Sequence, residues 1–135
     1  MLITAVVISF SCLINTVLPK ASFYIRDYQN NKTEYQQIQT MLNRIPEDAT
    51  VSASTFYTTP LSQREVLYGV KYAAKENILS TQYIALQPSS DTSFVQYADE
   101  NGENGYKNFV NFLEENGYLL WQSLPDHVEI YKKTE

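Results

Sequence analysis

Hydroxyl side chains and one arginine crowd a short stretch in the first half of the chain. They are Ser54, Thr55, Tyr57, Thr58, Ser62 and Arg64, with Ser52 and Thr59 beside them. Hydroxyls can hydrogen-bond a sugar, and a guanidinium can pair with a phosphate. Because the stretch follows the first predicted strand, where open α/β sheets usually bind ligands, we predict a ligand-binding site here. The alternative is ordinary turn chemistry, with the arginine paired to a neighbouring carboxylate.

No pattern in the chain predicts a catalytic centre, a cofactor site or a metal site. His127 is the sole histidine and Cys12 the sole cysteine, so neither a nucleophile and base pair nor a cysteine-based zinc site can be built at a familiar spacing. The four glycines lack the spacing of a phosphate-binding loop. An independent hydrolase or transferase would need paired carboxylates, and Asp48 with Glu65 is the only pair near predicted strand ends.

An acidic segment between residues 87 and 104 superficially resembles a calcium-binding loop. Counted from Asp99, a calcium-binding helix-loop-helix motif needs glycine where Asn104 stands and glutamate where Val110 stands. We therefore interpret the segment as a solvated surface loop, with Phe94, Val95 and Tyr97 as its only apolar residues.

The first 18 residues are predominantly apolar and contain no charged side chain, and Pro19 and Lys20 end this segment. A helix of this length reaches roughly 27 Å at 1.5 Å per residue, close to the ~30 Å hydrocarbon core of a bilayer. The segment predicts a membrane helix over residues 1–19, followed by one soluble domain over residues 20–135. The alternatives are a signal peptide, which would have a basic residue before the apolar run, and a buried core helix or the end of a fragment.

Composition limits the size and the partners of the soluble part. Apolar residues make up 44% of the chain, which is enough to bury a core and to fold as one domain. The net charge of −5 is opposite to that of a protein that binds a phosphate backbone, so nucleic acid is not an expected partner.

Periodic apolar residues predict an α/β domain with a sheet of about five strands. Alternating or continuous apolar runs predict the strands, and apolar stripes at helical spacing predict two main helices. The strands are expected at residues 50–55, 65–70, 82–86, 118–123 and 128–132, and the helices at 32–44 and 106–116. The continuous run at 82–86 favours a central strand, and the last two strands form a hairpin.

The connections complete this picture. Residues 56–64 are rich in turn formers, and residues 71–79 predict a turn of helix. Gly117 stands where a left-handed helix cap belongs, and Gly69 predicts either a bulge or a close backbone approach. Since the first three strands are joined by long connections, we predict a mixed sheet of two or three layers, with a parallel centre and a C-terminal antiparallel hairpin.

One stretch resembles a known family. It covers residues 44–68 and reads Arg-Ile-Pro-Glu-Asp-Ala-Thr-Val-Ser-Ala-Ser, then Leu-Ser-Gln-Arg-Glu, then Val-Leu-Tyr. It resembles a stretch of the domain of unknown function 2079 family, predicted multi-span membrane proteins similar to glycosyltransferases of the C class. Family members often carry Pro-His before the Leu-Ser, where this chain has Thr59 and Pro60.

The resemblance implies a location and a role. The chain would be the non-catalytic C-terminal domain of such a membrane protein, and it would lie outside the cytoplasm and assist the recognition of a lipid-linked sugar or acceptor. Residues 1–18 would then be the last membrane span, packed against other membrane helices. Lys20 and Arg26 after the segment would instead favour the cytoplasmic side, and we follow the resemblance over these two charges.

A second hypothesis is a membrane-anchored structural or protein-interaction domain with no small-molecule ligand. It predicts that the surface around residues 54–64 is flat or covered and that an apolar patch is exposed elsewhere.

Overall fold

The computed structural model describes residues 22, 25, 26, 29, 31–88 and 94–134. The chain divides into two compact units, Met1–Gln37 and Ile38–Glu135. Helix α1 covers residues 31–42. The second unit continues with β1 (Val51–Ala53), α2 (Thr55–Thr58), β2 (Leu67–Gly69), α3 (Lys75–Leu79), β3 (Tyr83–Leu86), a 3-10 turn (Val95–Tyr97), α4 (Gly105–Glu115), β4 (Tyr118–Leu124) and β5 (Val128–Lys133).

The five strands form one mixed sheet in the order β2-β1-β3-β5-β4. β1 pairs in parallel with both β2 and β3, and β5 pairs antiparallel with both β3 and β4. All four residues of β3 are buried, because this strand lies in the middle of the sheet and is covered on both faces. The predicted parallel centre and terminal hairpin are confirmed.

Helix α1 and the short helix α2 cover one face of the sheet. The α1 residues Ile38, Met41 and Leu42 pack there, as the helical spacing of the apolar residues predicts. They meet a core formed by Ile45, Ala49, Val51, Ala53, Tyr57, Leu61, Tyr83, Ala85, Val128 and Ile130. This is the α1 face of the sheet.

Helices α3 and α4 cover the opposite face, so the domain has three layers. Side chains alternate between the faces along each strand, so Ile84 and Leu86 of β3 point to this second side. They pack with Val70, Ile78, Phe94, Tyr97, Phe109, Leu113, Tyr118 and Tyr131. This is the α4 face.

The interpretation of residues 87–104 as a surface loop is wrong for its aromatic residues. Phe94 is 0% exposed, and its ring lies 5.3 Å from that of Phe109 in α4. Tyr97 lies 4.6 Å from the same ring, whereas Val95 remains exposed. Aromatic rings bury a large apolar area when they pack, and this stabilisation fixes the segment against the core despite its polar composition.

Two local features differ from the sequence prediction. Residues 55–58 form a helical turn where only turns were expected. Gly69 makes no close approach, since a Cβ added there would meet nothing within 4 Å, and the bulge of the sheet occurs instead at Trp121 in β4. Gly117 has a φ of +82°, which confirms the predicted left-handed cap after α4.

The predicted membrane segment, residues 1–19, lies outside the described residues. Within the part of the chain that the structure describes, no helix is long and apolar enough to cross a membrane.

Candidate functional site

The serine and tyrosine of the predicted ligand site are used inside the fold. Ser54 is 1% exposed, and its Oγ accepts a hydrogen bond of 3.1 Å from the backbone N–H of Gln87. Tyr57 is 2% exposed, and its hydroxyl donates to the backbone carbonyl of His127 in the β4–β5 turn. Burial raises the pKa of Tyr57 to about 12. Both groups tie β1 and α2 to neighbouring segments.

The remaining hydroxyls of the predicted site face solvent or bond locally. Thr55, Thr59 and Ser62 are exposed, and Thr58 Oγ1 donates to the carbonyl of Thr55 at 2.7 Å within the same helical turn. Ser52 is fully buried, and its Oγ accepts from the hydroxyl of Thr81 at 3.2 Å. Three of these hydroxyl side chains thus face solvent, and two bond within the fold.

Arg64 lies at the opposite end of the strands from Ser54. It comes just before β2, and because β2 runs parallel to β1, the residue sits at the amino end of these strands. Its Nη2 donates to the carbonyl of Ile45 at 3.0 Å, and its Nη1 donates to the carbonyl of Pro46. Burial lowers the pKa of Arg64, while Glu47 and Asp48 raise it. The arginine therefore holds the chain between α1 and β1.

A cleft of about 510 Å³ opens beside this arginine. It is lined by Asn43, Ile45, Glu47, Pro60, Leu61, Gln63 and Arg64. Arg64 is the only residue of the predicted ligand site in this lining, and its Nε has no hydrogen-bond partner among the described residues. The cleft offers amide, carboxylate and guanidinium groups around an apolar floor.

A second cleft, of about 430 Å³, lies at the same end of the parallel strands as Arg64, next to the last residues of β5. Its lining combines apolar and charged residues: Pro46, Asp48, Ala49, Gln82, Tyr83, Lys132, Lys133 and Thr134. Lys132 Nζ lies 5.8 Å from the centre of the Tyr83 ring, and Lys133 Nζ donates to the carbonyl of Leu79 at 2.6 Å. Two exposed cations thus border this cleft.

The half-buried carboxylate of Glu129 was not predicted as a site residue from the sequence. The hydroxyls of Tyr106 and Tyr131 both donate to Oε2 of Glu129, the second over 2.7 Å. Burial and the adjacent carboxylate raise the pKa of both tyrosines above the usual value. The cluster joins α4 to β5 on the α4 face. The sequence predicted the tyrosines as core residues, but the spacing of apolar residues did not indicate that both would bond to Glu129.

Strand β4 presents the most exposed apolar side chains of the sheet. It forms one edge of the described sheet, and Leu119, Leu120 and Trp121 are 61%, 52% and 38% exposed. The strand carries no charged residue and no proline, the features with which proteins usually protect a sheet edge from pairing. An unprotected apolar edge is typical of a docking surface.

The other candidates from the sequence form no reactive cluster. Asp48 and Glu65 are exposed and precede β1 and β2. The carboxylate of Asp99 accepts hydrogen bonds from the side chain of Asn104 and from the backbone N–H groups of Glu103 and Asn101. These bonds close the loop locally. They lower the pKa of Asp99, and the bond from the Asn104 side chain is the largest cause. No group of His, Cys, Asp and Glu in the described part of the chain could hold a metal ion.

Comparison with protein-family models, with curated proteins and with solved structures finds no match for this chain. The resemblance of residues 44–68 to the domain of unknown function 2079 family therefore stays a prediction.

Proposed function

We propose that the chain is a non-catalytic domain, held at the extracytoplasmic side of a cell membrane by residues 1–19, that docks on another surface, either a protein or a membrane, through β4. The observation that carries this proposal is the exposure of Leu119, Leu120 and Trp121 on an uncharged edge strand. The covered state of Ser54 and Tyr57 also supports docking over small-molecule binding at the end of β1.

The exposed strand β4 offers two kinds of groups that a partner could cover: apolar side chains and unpaired backbone groups. Apolar side chains gain about 25 cal/mol for each Å² that is removed from water. An edge strand also offers backbone N–H and C=O groups with no neighbouring strand. Because docking would cover both at once, the seven residues of β4 form the best binding surface among the described residues.

Cysteine accessibility in the full chain tests this proposal. In a Cys12→Ser background, Leu119→Cys places one thiol on β4, and Tyr72→Cys places one at an 80% exposed position next to β2, at the other edge of the sheet. In isolated membranes, we expect a water-soluble maleimide to label Leu119→Cys several times more slowly than Tyr72→Cys. After denaturation, both thiols should react equally. Equal rates in the membranes would contradict the proposal.

A second candidate function is the recognition of a lipid-linked sugar or acceptor, which the family resemblance implies. The cleft beside Arg64 supports it, since the amides of Asn43 and Gln63 could bind sugar hydroxyls there. Ligand-observed NMR of the full chain in micelles, with sugars and polyprenyl-phosphate sugars, tests it. Binding should weaken in Gln63→Ala and persist in the matched variant Gln96→Ala, which lies outside the cleft; no binding by the folded chain would exclude this function.

A further inference from the structure

We infer that the α1 face of β4 docks on the surface of a bilayer that contains anionic phospholipid. This inference rests on the docking surface proposed above and names its partner. The surface consists of Leu119 and Trp121 together with Lys132 and the cleft that Lys132 lines.

The sheet register places an apolar row and a cation on the same face. Leu119 lies opposite Lys132 of β5, and Lys132 lies opposite Tyr83 of β3. The ring of Trp121 lies 5.3 Å from that of Tyr83, so the bulge turns the indole towards the α1 face. Since directly opposed residues of a sheet project to one side, Leu119, Trp121 and Lys132 face the same surroundings.

The charge around this row complements a negative surface. Lys132 is exposed at one end of it, and Arg44, also exposed, donates to the side chain of Gln122 at 3.3 Å near the other end. The ammonium group of Lys133 lies on the α4 face instead, 5.7 Å from the centre of the Tyr118 ring. Asp48, in the cleft, is the acidic residue that accompanies these cations. The surface is thus locally basic, although the whole chain carries a net charge of −5.

The basic and the apolar residues of this surface match the two parts of a phospholipid, the headgroup and the acyl chains. The cleft of about 430 Å³ has Lys132 in its lining, and this lysine can pair with a headgroup phosphate. The exposed leucine and tryptophan can enter the boundary between headgroups and acyl chains, where tryptophan is enriched in membrane proteins. Each basic residue near an anionic leaflet strengthens such binding, and a tether at residues 1–19 would keep the domain at a high effective concentration near the lipid.

Two other occupants fit the surface less well. The bulge at Trp121 interrupts the regular backbone of the edge, which disfavours the addition of a straight strand from a peptide. A second copy of β4 would bring the cations of the two chains together, and such like-charge contacts oppose association. An anionic bilayer instead meets the apolar row and the cations together.

The fluorescence of Trp121 tests the inference, because it is the only tryptophan of the chain. The full chain is reconstituted in lipid nanodiscs of phosphatidylcholine, with or without phosphatidylglycerol, that contain lipids with brominated acyl chains. We expect bromine to quench Trp121 in the anionic discs, and we expect Lys132→Glu to lower the docked to undocked ratio by about tenfold. The matched reversal Lys71→Glu, at an exposed position after β2, should leave quenching unchanged.

Each contrary outcome has a separate meaning. Absence of bromine quenching, or equal quenching in neutral discs and in Lys132→Glu, would overturn the lipid inference. If Trp121 were then protected from aqueous iodide only when several chains share a disc, the docking surface would stand with a second copy as its partner. If iodide reached Trp121 freely under all conditions, the inference and the proposed docking function would both fail.

Discussion

The guanidinium of Arg64 donates to the carbonyl oxygen of Ile45 at 3.0 Å, across 19 residues of sequence. Nη1 of the same side chain donates to the carbonyl of Pro46. Ile45 and Pro46 both lie in the loop after α1, where carbonyl oxygens need partners from outside a regular helix or strand. Arg64 therefore satisfies the backbone just after α1 and fixes the approach of the chain to β1.

This arrangement predicts that Arg64→Ala destabilises the domain. Hydrogen bonds that involve a charged group contribute about 1.5–3 kcal/mol, so we expect a loss of that size in the free energy of unfolding measured with urea. The control is Arg44→Ala, whose exposed side chain makes a 3.3 Å hydrogen bond to Gln122 and should cost no more than about 0.5 kcal/mol. Equal losses in the two variants would show that the bonds to Ile45 and Pro46 add nothing.

The buried phenol of Tyr57 predicts a loss of stability at alkaline pH. Its pKa is raised from 10.0 to about 12 by burial, so folding favours the neutral form. The contribution of the neutral phenol to the free energy of unfolding is therefore complete below pH 10.0 and is lost as the pH rises through about 12. In Tyr57→Phe, the free energy of unfolding should fall less steeply over this interval; an unchanged slope would contradict the assignment. The variant also leaves the His127 carbonyl without this donor, which costs about 1–3 kcal/mol at neutral pH.

The two tyrosines that share Glu129 should be energetically coupled to it. We expect Tyr106→Phe and Tyr131→Phe each to cost about 1 kcal/mol in urea unfolding, since each removes one hydrogen bond to the carboxylate. In a Glu129→Gln background, the cost of Tyr106→Phe should shrink, because an amide oxygen is a weaker acceptor than a carboxylate. A double-mutant cycle measures this coupling; a coupling energy of zero would show that the shared carboxylate has no role in stability.

The close contact between Gly105 and Phe94 predicts the largest effect of a single methyl group. A Cβ at residue 105 would lie 2.6 Å from the backbone carbonyl oxygen of Phe94, and backbone cannot move aside as a flexible side chain does. We expect Gly105→Ala to cost about 1–3 kcal/mol, as overpacked positions do. Gly69→Ala is the control, with nothing within 4 Å of the added atom, and should change stability by less than about 0.5 kcal/mol. Thermal unfolding of both variants would check the difference.

The sequence alone did not indicate that the residues of the predicted ligand site lie apart in the fold. Ser54 and Arg64 are close in sequence, and both stand in the stretch from which the site was predicted. The chain between them crosses back so that β2 can run parallel to β1, and this leaves Ser54 at the carboxyl end of these strands and Arg64 at the amino end. Neighbouring positions in sequence do not indicate at which end of the strands each residue lies, because that depends on the crossover.

Most of the elements were determined by the sequence, because local patterns encode them, but the helical turn α2 and the 3-10 turn at Val95–Tyr97 were not expected. The unbroken apolar run of β3 required cover on both faces, and the left-handed conformation at Gly117 required a residue without a Cβ penalty. The tertiary structure alone decided which distant groups meet. It brought Phe94 into the core, joined Tyr106 to Glu129, and placed Leu119 beside Lys132 at the edge of the sheet. These contacts depend on strand order and register, which arise from packing over the whole domain and leave no periodic signal in the residues themselves.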